Sequence, residues 1–277
     1  MKKSLFLIIP VLIISFTLYY FNYIRTVGEG TIPVITYHSI MEREDKSNDY
    51  VVSKASFERM IETLKKNNFT FLSLRDVEDI IYNEKELPEN PVLITLDDGY
   101  EDNYKVMYPV IKENDAKVNI FLIGSLLDTE GFLKSEQIAE MSLSGFVEFG
   151  SHSFNMHGEF ESGKDKGKTW LVAKLEDETD EEYFQKIKND LIWNNNFIYE
   201  RSSLFPSAIA YPGAMVNDAV IEAAKEAGLK IGFVGANKFA SKAGDLNPYK
   251  IKRFNIKEST DIDNMVRFLK SNNKKSK

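Results

Sequence analysis

The chain has 277 residues, 43% hydrophobic and 28% charged, a balance that excludes a disordered chain and leaves room for one sizeable core. Its formal charge of −7, with no compact basic block, argues against nucleic acid as the main partner. There is no cysteine and there are three histidines, so disulfides, thiolate metal sites, cysteine nucleophiles and a lipidated N-terminal cysteine are excluded. Any metal must be held by His, Asp or Glu.

Lys2 and Lys3 precede an uncharged apolar stretch over residues 5–21, which extends to Ile24. That supplies the ~20 residues a bilayer-spanning helix needs. Tyr19, Tyr20, Phe21 and Tyr23 gather at its far end like an interfacial aromatic belt. A signal peptide has a shorter apolar core and a small-residue cleavage site, and no Ala-x-Ala-like site is present. Residues 1–24 are therefore expected to be an uncleaved single-pass membrane anchor, with a secreted product as the alternative if they are cleaved. Lys2 and Lys3 favour a cytoplasmic N-terminus and Arg25 opposes it; either way the bulk of the chain is expected on the extracellular side. Residues 25–31 read as a linker and 32–277 as one folded domain.

Residues 33–40 form a short β-rich run containing Tyr37-His38, and 42–50 are polar and loop-like. Ser53 is placed to cap a helix with Phe57, Met60, Ile61 and Leu64 on one face. Residues 69–74 read as a strand, and Val77, Ile80 and Ile81 mark a short helix closed by Leu87-Pro88. The apolar run 92–96 leads straight into Asp97-Asp98-Gly99. It suits a strand buried on both faces of a parallel sheet, with two carboxylates at its C-terminal end. Taken alone, Asp-Gly is also a common turn signal.

A helix is expected over 103–114, a strand over 118–123, a helix over 135–144 stopped by Gly145, and a strand over 146–149 entering Ser151-His152-Ser153. Residues 158–177 read as a surface loop and 179–199 as a helix with Tyr183, Ile187, Leu191 and Ile198 near helical spacing. A strand over 208–211 is closed by Pro212-Gly213, and Asn217 caps a helix stopped by Gly228. Strands over 231–234 and 251–256 and a helix over 260–271 complete the chain. Strands alternating with helices through short links indicate a parallel α/β domain, and seven or eight such units fit a barrel, including an incomplete one.

The strand ends then carry His38, Asp97-Asp98, His152 with His157, and Tyr211-Pro212-Gly213. A barrel brings such ends to one face, and two histidines with a carboxylate form a facial set for a divalent cation.

At this point a family becomes recognisable. Thr95-Leu96-Asp97-Asp98-Gly99 resembles the Thr-Phe-Asp-Asp-Gly motif of the polysaccharide deacetylases, the NodB-like carbohydrate esterases. Ser151-His152-Ser153 followed by His157 resembles their metal-binding histidine motif, and Ala210-Tyr211-Pro212-Gly213 their substrate-groove segment. The resemblance spans residues 31–256 and implies an α/β fold, an incomplete (β/α)7-type barrel. Three departures stand out. The histidines are five apart where many members space them by four, and this longer spacing resembles the branch of exported poly-N-acetylglucosamine deacetylases. Gly213 stands where an aromatic is common. No histidine follows His157, so the late Leu-x-His motif that supplies the general acid is missing; in that same branch it is permuted to the start of the domain, where Tyr37-His38 lies.

The resemblance implies hydrolysis of an N-acetyl group on an acetylated polysaccharide, with Asp98, His152 and His157 holding Zn²⁺ (Co²⁺, Ni²⁺ or Fe²⁺ as alternatives). It also implies Asp97 as general base, His38 as general acid and the Gly213 amide as an oxyanion donor. Arg253 has three open roles: orienting Asp97, contacting the sugar, or a solvated strand-end charge. Trp170 and Trp193 are sugar-stacking or packing residues, and Asp102 and Asn103 fit a helix start. The permuted acid favours poly-β-1,6-N-acetylglucosamine or a related surface glycan; peptidoglycan, chitin oligomers and O-acetylated xylan are the rivals. A non-catalytic glycan-binding member of the fold would lack a base or a ligand, and none is missing. No protein partner is inferable.

Overall fold

The computed structural model describes residues 30–236, 240–243 and 246–272, so the expected anchor and nearly all of the linker lie outside the described residues. Among those described, no helix is long and apolar enough to cross a membrane. The chain begins with β1 (Thr31–Ile32), β2 (Val34–Tyr37), β3 (Ser39–Met41), β4 (Val51–Ser53) and α1 (Lys54–Lys66). There follow β5 (Thr70–Leu72), α2 (Leu74–Tyr82), β6 (Pro91–Leu96), a π-helical turn (Asn103–Met107) and α3 (Tyr108–Glu113). Then come β7 (Val118–Leu122), α4 (Ser135–Leu143), β8 (Val147–Ser151) and α5 (Asp180–Ser202). The last elements are β9 (Ala208–Ala210), α6 (Asp218–Glu226), β10 (Ile231–Ala236), β11 (Ser241–Lys242), β12 (Ile251–Asn255) and α7 (Ile262–Asn272).

Local chemistry accounts for most of these boundaries. The Ser53 hydroxyl accepts from the Ser56 amide at the start of α1, and Asn217 caps α6 through the Val220 amide. Thr179 and Glu182 form a reciprocal capping box at α5. Gly145 and Gly228, expected to stop helices, both adopt left-handed φ. The expected helix over 103–114 differs: it opens as a π turn and becomes α-helical only at Tyr108, beside Pro109. Thr31, read as linker, is already in β1, which pairs antiparallel with β11.

Seven parallel strands form a ring in the order β2, β12, β10, β9, β8, β7, β6, and pairing of β2 with β6 closes it. The ring is one strand short of a full (β/α)8 barrel, as expected. All six residues of β6 are buried, as a doubly covered parallel strand requires. β2 occupies one edge of β6, and the other edge is shared. β5 pairs with its first half (Thr70↔Pro91 to Leu72↔Leu93) and β7 with its end (Thr95↔Asn119, Leu96↔Ile120). Asn119 fills this fork: its Nδ2 donates to Leu72 O and Ile94 O, and its Oδ1 accepts the Leu74 amide.

α2 closes the N-terminal mouth of the ring. Leu74 and Val77 bury against Val34, Leu93, Phe121 and Phe233 in the interior, and the Tyr82 hydroxyl donates to Lys230 O just below β10. The outer helices pack in two further clusters, α1, α3, α4 and α7 around one arc and α5 with α6 around another. With the lower end plugged, chemistry is confined to the C-terminal ends of the strands.

Candidate active site

β2 and β6 run side by side, and the Asp97 amide donates to Tyr37 O at 3.0 Å, so His38 and Asp97 emerge together. Immediately after, Asp98 takes φ +76° and Gly99 φ +80°. A left-handed non-glycine residue is uncommon, although Asp tolerates it better than most. This turn brings to one cavity two neighbouring carboxylates that a continuing strand would send to opposite faces, each toward its own partners. At Gly99 a Cβ would lie 2.6 Å from Leu122 Cδ2, so the turn has no room for a side chain.

Asp98 faces the two histidines. Its Oδ1 lies 3.4 Å from His152 Nε2 and 3.5 Å from His157 Nε2, and the donor atoms of the three residues lie within 4.8 Å of one another. His152 is held from behind: its Nδ1 is 2.7 Å from Ala210 O, a group that can only accept. Nδ1 therefore carries the proton, and Nε2 offers its lone pair to the site. Asp98 Oδ1 is buried with no hydrogen-bond partner. A buried, unsatisfied carboxylate oxygen beside two imidazole lone pairs is what a divalent cation such as Zn²⁺ would satisfy, and the N, N, O donor set suits it. Burial raises the Asp98 carboxyl, but the proximity of His152, then of His38, outweighs it and brings it below its usual value. The Tyr100 phenol, pushed up first by burial and then by the nearby charge of Asp98, closes another side.

Asp97 has a different partner. Arg253 on β12 meets it through two parallel bonds, Nη1 to Oδ1 at 2.7 Å and Nη2 to Oδ2 at 2.8 Å, with both residues buried. Such a fork is the strongest common carboxylate pairing. The guanidinium also donates to Thr95 Oγ1 and sits over the Phe121 ring. Burial opposes the Asp97 charge; Arg253 foremost, then His152, overrides it and holds the carboxyl far below the ordinary range. Of the three roles open to Arg253, burial rules out a solvated charge, and the fork fixes the orientation of the Asp97 carboxylate in the cavity that Arg253 also lines.

His38 is half-buried and lines the same cavity, 420 Å³ in volume, together with Asp97, Asp98, His152 and His157. Burial lowers its imidazole below the usual value, and the nearby Asp97 and Asp98 charges only partly oppose this. Its ring meets Tyr50 edge-on at 4.6 Å. Asp102 and Asn103 hold its backbone: Asp102 accepts from Ser39 Oγ and the Ile40 amide, and Asn103 Nδ2 donates to His38 O. Asp102 and Asn103 stand at a helix start as expected, at the N-cap and first residue of the π turn, but the Asp102 carboxylate makes no cap hydrogen bond and reaches across to β3 instead.

The segment Tyr211-Pro212-Gly213 divides. Tyr211 and Gly213 line the cavity, but the Tyr211 ring is wholly buried in the cluster under α5 and α6, against Gly232, and so is no exposed sugar platform. Pro212 is buried and outside the cavity wall. Gly213 takes φ +58° in a tight turn whose hydrogen bonds come from the Ala214 and Met215 amides. Trp170 covers Gly158, and Trp193 packs against Phe154 on α5; neither lines the cavity. Tyr50, Tyr100, Glu159 and Asn255 line it without having been singled out in the sequence. Of these only Tyr100 carried a signal, two residues beyond the aspartate pair.

The family comparisons agree with this geometry. Residues 84–232 match the family model for polysaccharide deacetylase. The chain is 28% identical over 243 residues to the poly-beta-1,6-N-acetyl-D-glucosamine N-deacetylase of Staphylococcus aureus (strain MRSA252), covering 86% of this chain and 78% of that protein. It is 27% identical over 234 residues to the putative polysaccharide deacetylase YxkH of Bacillus subtilis (strain 168), covering 84% and 74%. Among solved structures, a de-N-acetylase from Aggregatibacter actinomycetemcomitans superposes with a TM-score of 0.77 at 25% identity, over 86% of this chain and 99% of that one. Motifs, barrel and comparisons converge, and the chain belongs to the polysaccharide deacetylase family.

Proposed function

We propose that the protein is a metal-dependent N-deacetylase that removes acetyl groups from N-acetylglucosamine units of an extracellular polysaccharide, poly-β-1,6-N-acetylglucosamine or a close relative. The observation that carries this reading is the meeting of three separate devices in one cavity: the Asp98, His152 and His157 donors, the Asp97–Arg253 pair, and His38. Asp98, His152 and His157 hold the cation. When bound, it supplies Lewis-acid polarisation of a carbonyl and a lowered pKa for water.

The chain's own residues do the rest. Asp97, kept ionised and aimed by Arg253, has lone pairs left to accept a proton from the attacking water. The Gly213 amide donates to the oxygen that gains charge as the carbonyl carbon becomes tetrahedral. His38 gives a proton to the sugar nitrogen as the C–N bond breaks. One water is consumed: its oxygen goes to acetate, and the proton it loses balances the one the amine gains. His38 is biased toward its neutral form, so it acts only after taking up a proton within the cavity. Tyr50, 54% exposed and against His38, is placed to flank the sugar ring.

Residues 1–24 anchor this domain to the cell membrane, holding the cavity near a surface polymer. The test is acetate release from a panel of acetylated glycans: β-1,6-linked N-acetylglucosamine oligomers, chitin oligomers, peptidoglycan and acetylxylan. Release is expected first from the β-1,6 oligomers, lost with chelator and restored by Zn²⁺. Chelator-insensitive release would overturn metal dependence; no release from any glycan by metal-loaded protein would overturn the enzymatic reading.

A further inference from the structure

His152 and His157 differ in how they are held. His152 directly follows β8, is buried, and is oriented through Nδ1 by Ala210 O. The His157 side chain is 42% exposed, and among the described residues no hydrogen bond orients its ring. Its position must come from the chain that leads to it. That chain is fixed residue by residue. Ser151 Oγ accepts from Asn194 Nδ2 at 2.8 Å, and the His152 amide donates to Leu122 O at 2.9 Å. Ser153 is left-handed, φ +68°, and its hydroxyl accepts the Met156 amide at 3.1 Å.

The two amides in between point to one carboxylate. Asp190 on α5 accepts the Phe154 amide on Oδ1 at 2.8 Å and the Asn155 amide on Oδ2 at 2.9 Å. Asp190 is only 9% exposed, and among the described residues no cation faces it; burial pushes its carboxyl up, and these two amides oppose the rise. Asn194, one turn further along α5, braces the same loop by donating to Leu122 O as well. A buried acid without a counter-ion is expensive in a helix face that otherwise packs Ile187, Leu191 and Ile198.

We propose that Asp190 is a positioning residue for the metal centre: by clamping the Phe154 and Asn155 amides it sets the reach from His152 to His157. The inference rests on the metal-site reading above. Asp190→Asn keeps the shape but replaces one acceptor with an NH₂ that faces an amide N–H, so the clamp is broken without a cavity. Removal of a partner that orients a ligand weakens metal binding by about 10–100-fold.

The test uses the full chain loaded with Co²⁺, with the dissociation constant taken from chelator competition and the ligand field from the Co²⁺ absorption bands. Wild type, Asp190→Asn, Asp190→Ala and His157→Ala are compared. Asp190→Asn is expected to bind about 10–100-fold more weakly and to shift the bands, with both histidines intact. If Asp190→Asn melts earlier but keeps wild-type affinity and bands, Asp190 is only structural and the proposal falls while the metal site stands. If wild type and His157→Ala bind Co²⁺ alike, the metal site itself is wrong and the proposal falls with it.

Discussion

Asp97 and Asp98 are sequence neighbours with opposite surroundings, and the sequence alone had no means of telling them apart. Only the family resemblance assigned one to the metal and the other to the proton. The physical divider is the left-handed backbone of Asp98, which turns its carboxylate to the histidines while Asp97 stays on the strand line under Arg253. Asp97→Asn should keep its metal, measured by elemental analysis, yet lose turnover by at least about 10²–10⁴-fold; near-normal turnover removes it as the base. His38→Ala should lose about 10²–10⁴-fold in kcat with metal content unchanged. A loss below twofold assigns the acid elsewhere.

Arg253→Ala leaves a buried carboxylate without its partner and should cost about 3–5 kcal/mol in urea unfolding at neutral pH. The pH dependence has a definite sign. The folded-state Asp97 is depressed, so its contribution is complete above the unfolded carboxyl value of about 4 and drains away as pH falls through the folded value. The gap between wild type and Arg253→Ala should therefore narrow below about pH 4; a constant gap would mean that the pair is not the cause.

At the scale of elements, what was legible is what is encoded locally. Caps at Ser53 and Asn217, stops at Gly145 and Gly228, and the apolar faces of α1 and α5 all lie within a few residues of the structure they determine. The two- and three-residue strands β1, β3, β4 and β11 escaped, because each exists only through a partner far away or across a loop. Polar residues on apolar faces were the overlooked signal. Asp190 and Asn194 break the stripe of α5, and Asn119 breaks the run of β7.

Each of these polar residues serves backbone groups that the fold leaves unpaired. Asn119→Ala strands Leu72 O, Ile94 O and the Leu74 amide at the fork of β5, β6 and β7. At about 1–3 kcal/mol for each buried unsatisfied group, the loss in chemical denaturation should reach at least about 3 kcal/mol. A loss under about 1 kcal/mol would show that the fork closes without it.

For the whole molecule, the alternation of strands and helices was enough to indicate a parallel barrel, whereas ring closure and the α2 plug depend on pairings between distant segments. The apolar segment 1–24 makes a separate prediction. Its removal should move the protein from the membrane pellet to the supernatant on ultracentrifugation, with acetate release per molecule unchanged. A full-length protein that already stays in the supernatant would refute the anchor.

The order of strands around the ring also bears on when the protein can act during its own synthesis. β2, which brings His38, is the first long strand to be made, and it sits between β6 and β12, the last. Arg253 arrives only with β12. A nascent chain that has released Asp97, Asp98 and both histidines still has a carboxylate with no guanidinium to aim it and a ring with a gap beside His38. On the proposed mechanism, a protein truncated before residue 251 should therefore release no acetate, which an assay of that truncation would check.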